Sequence, residues 1–417
     1  MPVEPDVHIL RALPQIEQIR SAWESWPGYR DSDIDFFSAV VSSNPETQRP
    51  HVIVAYRDGH PDAILIGRID LTTVPLRIAY WSLPAPRVRL LTFVIGAQRG
   101  NSSPDVSELL FREALRSLRR GEADLGRLES VRVDSSLYSL ARRLPGILGR
   151  DHGPVSGGHW VMELQKSYEE VLKGLSHELR KELRRTTKRI QADFERVEVK
   201  CFERADEIES MLRDMECIAA KSYQRKIGVG FRDTAVLRQH TLLQARKGWL
   251  RGYILYVGAK PIAFSLGCLY DGVFYSDDMA FDPDFTKCSP GTVLQARVLE
   301  DLCARQAKGI DFGPGDALYK ARFGTSRHEE AYLYFYPPTF RGVAHNLVRT
   351  LTGLVNSSAK AVLGRAGVLP RIKRVLRGKK GVTAKQQPST TSPATQGGVN
   401  KLTEERSVVK DRGVRNG

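Results

Sequence analysis

The chain has 417 residues, 41% apolar and 27% charged, enough for two to three domains of about 150 residues each. That composition excludes a disordered chain and a small disulfide-stapled one. The net charge of +15 is unevenly placed: residues 341–417 hold 16 Lys+Arg and 3 Asp+Glu, the remaining 340 hold 47 and 45, so a pI-based reading as a nucleic-acid binder is excluded for the body.

The predicted elements fall into three parts. In residues 1–165, a helix is expected over 15–26. Apolar strand-like runs follow at 51–56, 63–69 and 88–94, the first two joined by Asp58-Gly59 in a hairpin. Ser103-Pro104-Asp105 opens a helix, and a strand (130–134) and a short helix (136–144) follow. Residues 166–340 repeat the layout. A charged helix (167–190) leads to a strand (196–202) and two helices (205–222, 232–247). A meander follows (250–257, 261–269, 273–281), then a helix from Val293 to Ala307 and strands at 309–312 and 331–336. The fold class is therefore α/β (α+β), two lobes that each hold a mixed, mostly antiparallel sheet flanked by helices. Residues 341–417 form a basic tail, with helical apolar spacing at Val343, Leu347, Leu351, Leu354 and Val355 and a Ser/Thr/Gln/Pro-rich end expected to be disordered.

Cys201, Cys217, Cys268, Cys288 and Cys303 form no C-x-x-C pair, so buried or half-buried free thiols are expected, and no zinc knuckle. None of the nine histidines falls in H-x-x-x-H or H-E-x-x-H, so no metal is expected. There is no G-x-S-x-G, Walker A or G-x-G-x-x-G. The N-terminus has neither a basic n-region nor an apolar h-region, and no run approaches the roughly 18 apolar residues that span a bilayer. The expected location is cytoplasmic, with the tail able to meet the inner face of the membrane.

The most informative stretch is 274–324. Ser289-Pro290-Gly291-Thr292 opens a long helix. Ser289 suits a cap, Pro290 the first turn, and Gly291 lets a ligand approach the amides. Such a start suits a pyrophosphate; it is equally the start of any well-capped helix. Gly309-Ile310-Asp311-Phe312-Gly313-Pro314-Gly315-Asp316 and then Tyr319-Lys320 follow it, and Ser176-His177-Glu178-Leu179-Arg180-Lys181-Glu182-Leu183-Arg184-Arg185 precedes it.

Taken together, these motifs resemble the GNAT acyltransferase superfamily over about residues 166–337. The closer likeness is to its CelD-like branch (cellulose-biosynthesis-associated acetyltransferases) and FemAB-like tandem relatives. Thr286 to Gly291 reads TKCSPG, a departure from the superfamily's Q/R-x-x-G-x-G/A loop. The resemblance implies two GNAT-like lobes, the first degenerate, and acetyl-CoA or another acyl-CoA as cosubstrate. Its pyrophosphate would lie over Ser289, Gly291 and Thr292, and its pantetheine along the edge of Met279, Ala280 and Phe281. Asp278 is the candidate base, Asp277 being expected on the opposite face. Tyr319 is the candidate acid for the leaving thiolate, and Asp316 and Lys320 the candidates for positioning the acceptor. Asp316 also reads as a helix cap, Lys320 as an ion-pair partner and Tyr319 as packing.

The rows Arg180–Arg184–Lys188 and Lys181–Arg185–Arg189 put basic residues on neighbouring faces of one helix. They read as a solvated face or, through Arg184, as a substrate-binding surface for an anionic acceptor or tRNA. The leading function is acyl transfer to an amine or hydroxyl of a small-molecule, sugar or glycan-type envelope acceptor, as in polysaccharide biosynthesis. The alternatives are a FemAB-like aminoacyl-tRNA-dependent transferase acting on a cell-wall precursor, and a non-catalytic scaffold. The tail reads as a weak helix packed on the body or as a ligand of an anionic membrane surface. It lacks the aromatic residues that stack on bases, so nucleic acid is expected only as tRNA in the alternative.

Overall fold

A computed structural model describes residues 6–74, 76–78, 81–83, 85–226 and 228–365; the expected disordered end lies outside them. The chain divides into two units, the first made of 1–156 and 329–388, the second of 157–328 and 389–417. The division falls at 156/157 and 328/329, where the sequence placed it near 165 and 340. The last expected strand serves the first unit, so that unit is discontinuous in sequence.

The first unit is built on β1 (Asp6–Leu10), β2 (Thr47–Arg57), β3 (His60–Thr73), the short pair β4 (Leu76–Ile78) and β5 (Trp81–Leu83), β6 (Arg87–Gly100) and β7 (Leu125–Arg132). β1, β2, β3 and β6 are antiparallel neighbours, and β6 runs parallel to β7. Asp58 and Gly59 both take positive φ (52° and 76°), the two-residue turn that matches strand twist. Val52–Ala55 and Ala63–Ile66 are fully buried, which is why both strands read as continuous apolar runs rather than alternating ones. The expected helix over 15–26 is two short helices, Leu13–Glu17 and Arg20–Ser25, whose break lets Ile16, Ile19 and Trp23 all face the core. A further helix, Ile34–Ser43, was not anticipated, although its Asp33 cap accepts from the amides of Asp35 and Phe36.

The second unit holds β8 (Val155–Glu163), β9 (Val197–Phe202), β10 (Leu250–Val257), β11 (Lys260–Tyr270), β12 (Val273–Phe281) and β13 (Gly309–Pro314), in the order β8-β13-β12-β11-β10-β9. All pairs are antiparallel except β12 with β13. The expected charged helix divides into Tyr168–Gly174 and His177–Asp193, because Ser167 and Ser176 each cap a separate start. The helix Pro290–Ala304 packs Val293, Leu294, Val298, Leu299 and Leu302 into the core shared with Leu179, Leu183 and Ile190. The chain then enters β14 (Ser326–Phe335), whose residues from Glu330 pair antiparallel with β7. Among the cysteines, Cys217 is exposed, against the expectation of buried or half-buried thiols, and all five are free.

One buried group in the first unit makes its stability depend on pH. His51 lies inside β2, fully buried, with Nε2 3.1 Å from Ser117 Oγ. Burial pushes the imidazole down to about 4 from its ordinary 6.5, against the pull of Glu122. Burial raises Glu122, but hydrogen bonds from Arg11 and Arg49 outweigh it and hold the carboxyl at about 2. Both groups bind fewer protons folded than unfolded, so stability is lost as pH falls, from 6.5 to 4 through His51 and below 4.5 through Glu122. The His51 contribution is up to about 3 kcal/mol. Denaturant titrations between pH 7 and 4 should show this slope in the wild type and a flatter one in His51→Gln, since the amide does not titrate.

Candidate active site

β11 and β12 form a hairpin over Asp271 and Gly272, again with positive φ (46° and 79°). Leu266 opposes Asp278 and Gly267 opposes Ser276, which leaves Asp277 as an extra residue in a bulge. Along its other edge β12 pairs with β13 only at Val273, Phe274 and Tyr275. From Ser276 to Phe281 that edge parts from β13. The bulge and the splay coincide, so the alternation expected at Asp277 and Asp278 is interrupted where it would set their faces. Asp277 is exposed and Asp278 half-buried.

Phe281 leads into a turn that opens on the buried Asp282. Asp282 accepts from the Asp284 amide and pairs with Lys221 at 2.7 Å and Lys260 at 3.6 Å. Burial alone would raise Asp282; the Lys221 hydrogen bond and the Asp284 amide hold it below the usual carboxylate range. The turn Pro283–Cys288 delivers the chain to Ser289, which takes a left-handed conformation (φ 51°, ψ 54°). The expected Ser289 cap is not made. Side-chain capping needs an extended backbone at that position, and the left-handed turn withholds it. The Ser289 carbonyl instead accepts from the amides of Thr292 (3.0 Å) and Val293 (3.2 Å). The Gly291 amide has no acceptor among the described residues. A Cβ placed on Gly291 would meet only Phe281 Cδ1, at 3.8 Å. The helix start is thus open, with the end of the splayed β12 edge beside it.

The corresponding stretch of the first unit is filled by its own side chains. Arg99 is buried and donates to Ser32 Oγ and the Tyr29 carbonyl. Asn101 donates to Asp62, and a Cβ on Gly100 would lie 2.4 Å from the Asp62 carbonyl oxygen.

After β13, the remaining candidates gather around one loop. Lys320 is 4% exposed and its Nζ donates to the carbonyls of Gly313 (3.1 Å) and Pro314 (2.8 Å). It therefore clamps the loop from a buried position, where its sequence context had also allowed a place on the surface. Asp316 does not cap the Leu318–Phe323 helix, whose cap position is Ala317; it accepts from Trp160 Nε1 (3.1 Å) and Arg327 Nε (3.2 Å). Tyr319 meets Phe312 edge-on, with ring centroids 6.1 Å apart. Sequence reasoning missed the pair between β13 and β8: Asp311, buried, accepts from the Gly313 amide (2.7 Å) and lies 2.6 Å from His159 Nε2. His159 in turn stacks on His328 at 4.7 Å. The separation of 152 positions between His159 and Asp311 hides the pairing from any local motif.

Arg184 lies on the exposed face of the His177–Asp193 helix with Lys181, Arg185 and Lys188. These four cations make no ion pair among the described residues. Glu182 on the same helix binds Arg322 at 2.5 Å.

Residues 177–321 match the family model described as an acetyltransferase (GNAT) domain. No curated protein matches the sequence. Among solved structures, FemX is similar over 77% of this chain and 95% of its own, at 12% identity and a TM-score of 0.56. L-PGS from Bacillus licheniformis is similar over 82% and 96%, at 14% identity and a TM-score of 0.48. A tandem GNAT protein from the clavulanic acid biosynthesis pathway is similar over 80% and 100%, at 9% identity and a TM-score of 0.44. The FemX likeness extends to the fold.

Proposed function

We propose, from the match of residues 177–321 to the acetyltransferase (GNAT) domain model, that this protein transfers an acyl group, acetyl in the first instance, from acyl-CoA to an amine or hydroxyl of a small-molecule or glycan-type acceptor. The observation that carries this reading is the open start of the Pro290–Ala304 helix beside the splayed edge of β12. Acyl-CoA supplies the thioester whose carbonyl carbon is attacked. The Gly291 amide, at the positive end of the helix dipole, binds the diphosphate, with the Thr292 hydroxyl as the neighbouring donor. The β12 edge at Met279, Ala280 and Phe281 offers main-chain partners to the pantetheine amides. The acceptor heteroatom forms a bond to the carbonyl carbon as the carbon–sulfur bond breaks. Asp278 takes the proton that the acceptor loses, and Tyr319 protonates the departing thiolate. Lys320 acts on this centre by holding the Gly313–Pro314 loop, and Asp316 faces the acceptor side with Arg327. Calorimetry of the purified protein against a panel of acyl-CoAs tests the reading; saturable binding of one of them is the expected result.

A second reading, a donor that is aminoacyl-tRNA, is favoured by the unpaired cations Lys181, Arg184, Arg185 and Lys188. Under it, tRNA binding falls steeply with salt, and Arg184→Glu with Arg185→Glu weakens it at least about tenfold and lowers the salt slope. Under the acyl-CoA reading the same double variant binds acyl-CoA as the wild type does, because neither residue lies at the helix start. Filter binding over a salt series separates the two.

A further inference from the structure

The helix Phe340–Arg365 reverses the usual arrangement of a surface helix, which buries its apolar stripe and shows its polar face to water. Its polar side chains hold it to the first unit. Asn346, 4% exposed, donates to the carbonyls of Leu148 and Arg150, both at 2.9 Å. Arg349 pairs with Asp151 at 2.7 Å and lies 4.2 Å over the Tyr334 ring. Thr352 is buried. The opposite face carries Phe340 (90% exposed), Leu347, Val348, Leu351, Leu354 (60%) and Val355. At about 100° per residue these six fall within one stripe, facing away from Asn346, Arg349 and Thr352. Ile147 and Leu148, in the loop that Asn346 holds, are exposed as well. A contiguous apolar patch of this kind marks an interaction surface.

Charge selects its occupant. Residues 341–400 contain eleven Lys+Arg and no Asp or Glu. A second copy would bring two such segments together, like charge on like. An anionic lipid surface offers apolar depth to the stripe and counter-charge to the basic residues at once. No described helix is long and apolar enough to cross a membrane, which fits a helix lying in the interface plane. We infer that the outward stripe of this helix seats the protein on an anionic bilayer, with Leu347, Leu351 and Leu354 at the headgroup–acyl boundary. The argument uses only the first unit and the tail and is independent of the reaction proposed above.

The test is co-sedimentation of the full chain with phosphatidylcholine vesicles, with or without phosphatidylglycerol. Binding to the anionic vesicles is expected, at least about tenfold weaker on neutral ones or in 1 M salt, where the Debye length is about 3 Å. Leu347→Glu, Leu351→Glu and Leu354→Glu combined should lower partitioning at least about tenfold. A separate variant, Leu351→Trp, should be quenched by brominated acyl chains beyond the wild-type signal. The inference is overturned if the wild type ignores anionic vesicles, if the triple variant binds them equally, or if Leu351→Trp is not additionally quenched. It is likewise overturned if sedimentation reveals a dimer that the triple variant dissolves, which would assign the stripe to a second copy.

Discussion

Gly291→Trp should cut acyl-CoA affinity at least about 100-fold, equivalent to about 2.7 kcal/mol, while leaving the fold intact. The indole would occupy the space in front of the helix amides, where a Cβ alone meets only Phe281 Cδ1 at 3.8 Å. A diphosphate displaced from that position loses charge-assisted hydrogen bonds worth about 1.5–3 kcal/mol each. Folding should not suffer, since glycine is a poor helix residue and its replacement in the first turn relieves up to about 1 kcal/mol of that penalty. Gly291→Ala supplies the control: its methyl group fits, so affinity should stay within about twofold. Calorimetry paired with thermal melts reads both quantities. A Gly291→Trp protein that melts normally and still binds acyl-CoA would remove the helix start from the site.

The second large effect concerns the junction of the tail helix with the first unit. Asp151 has a side chain only 2% exposed, and it accepts from the Tyr334 amide (3.0 Å) and from Arg349 (2.7 Å). Removing one partner of a buried ion pair leaves an uncompensated charge and costs about 3–5 kcal/mol. Arg349→Ala should therefore destabilise the first unit by about that amount in denaturant titrations. Arg349→Ala combined with Asp151→Asn should be less costly than additivity predicts, because the orphaned carboxylate is then gone. Cutting the chain before Phe340 should match Arg349→Ala, whereas ending it after Arg365 should not. The sequence left residues 341–417 as a tail that reads either as a weak helix packed on the body or as a ligand of an anionic membrane surface. The contacts of Asn346 and Arg349 make the first turns of that helix part of the folded unit.

Local chemistry was legible from the residues. Asp58-Gly59 and Asp271-Gly272 announce hairpins because only a left-handed pair closes a two-residue loop on twisted strands. The apolar runs at 51–56 and 63–69 announce strands buried on both faces. The Ser-Pro-Gly start of the long helix was also visible, but the detail of Ser289 was not. Its cap depends on φ and ψ, which the preceding Pro283–Cys288 turn imposes. Asp277 and Asp278 show the same limit: strand alternation is a property of regular pairing, and the bulge opposite Leu266 and Gly267 is fixed by the neighbouring strand. Lys320 read as a surface residue because lysine is rarely buried. Hydrogen bonds to the carbonyls of Gly313 and Pro314 make its burial tolerable here.

The sequence by itself determined the hairpin strands and the long helices, the turn chemistry, the basic tail and the motifs that mark residues 177–321. Those features rest on propensities and periodicities that act within a few residues. Only the tertiary structure decided that β12 separates from β13 after Tyr275 and that Gly291 faces open space. It also decided that His159 meets Asp311, and that the last helix shows its apolar stripe outward. Each of these depends on which distant segments pack together, and close packing among remote side chains leaves no trace in the spacing of neighbours along the chain.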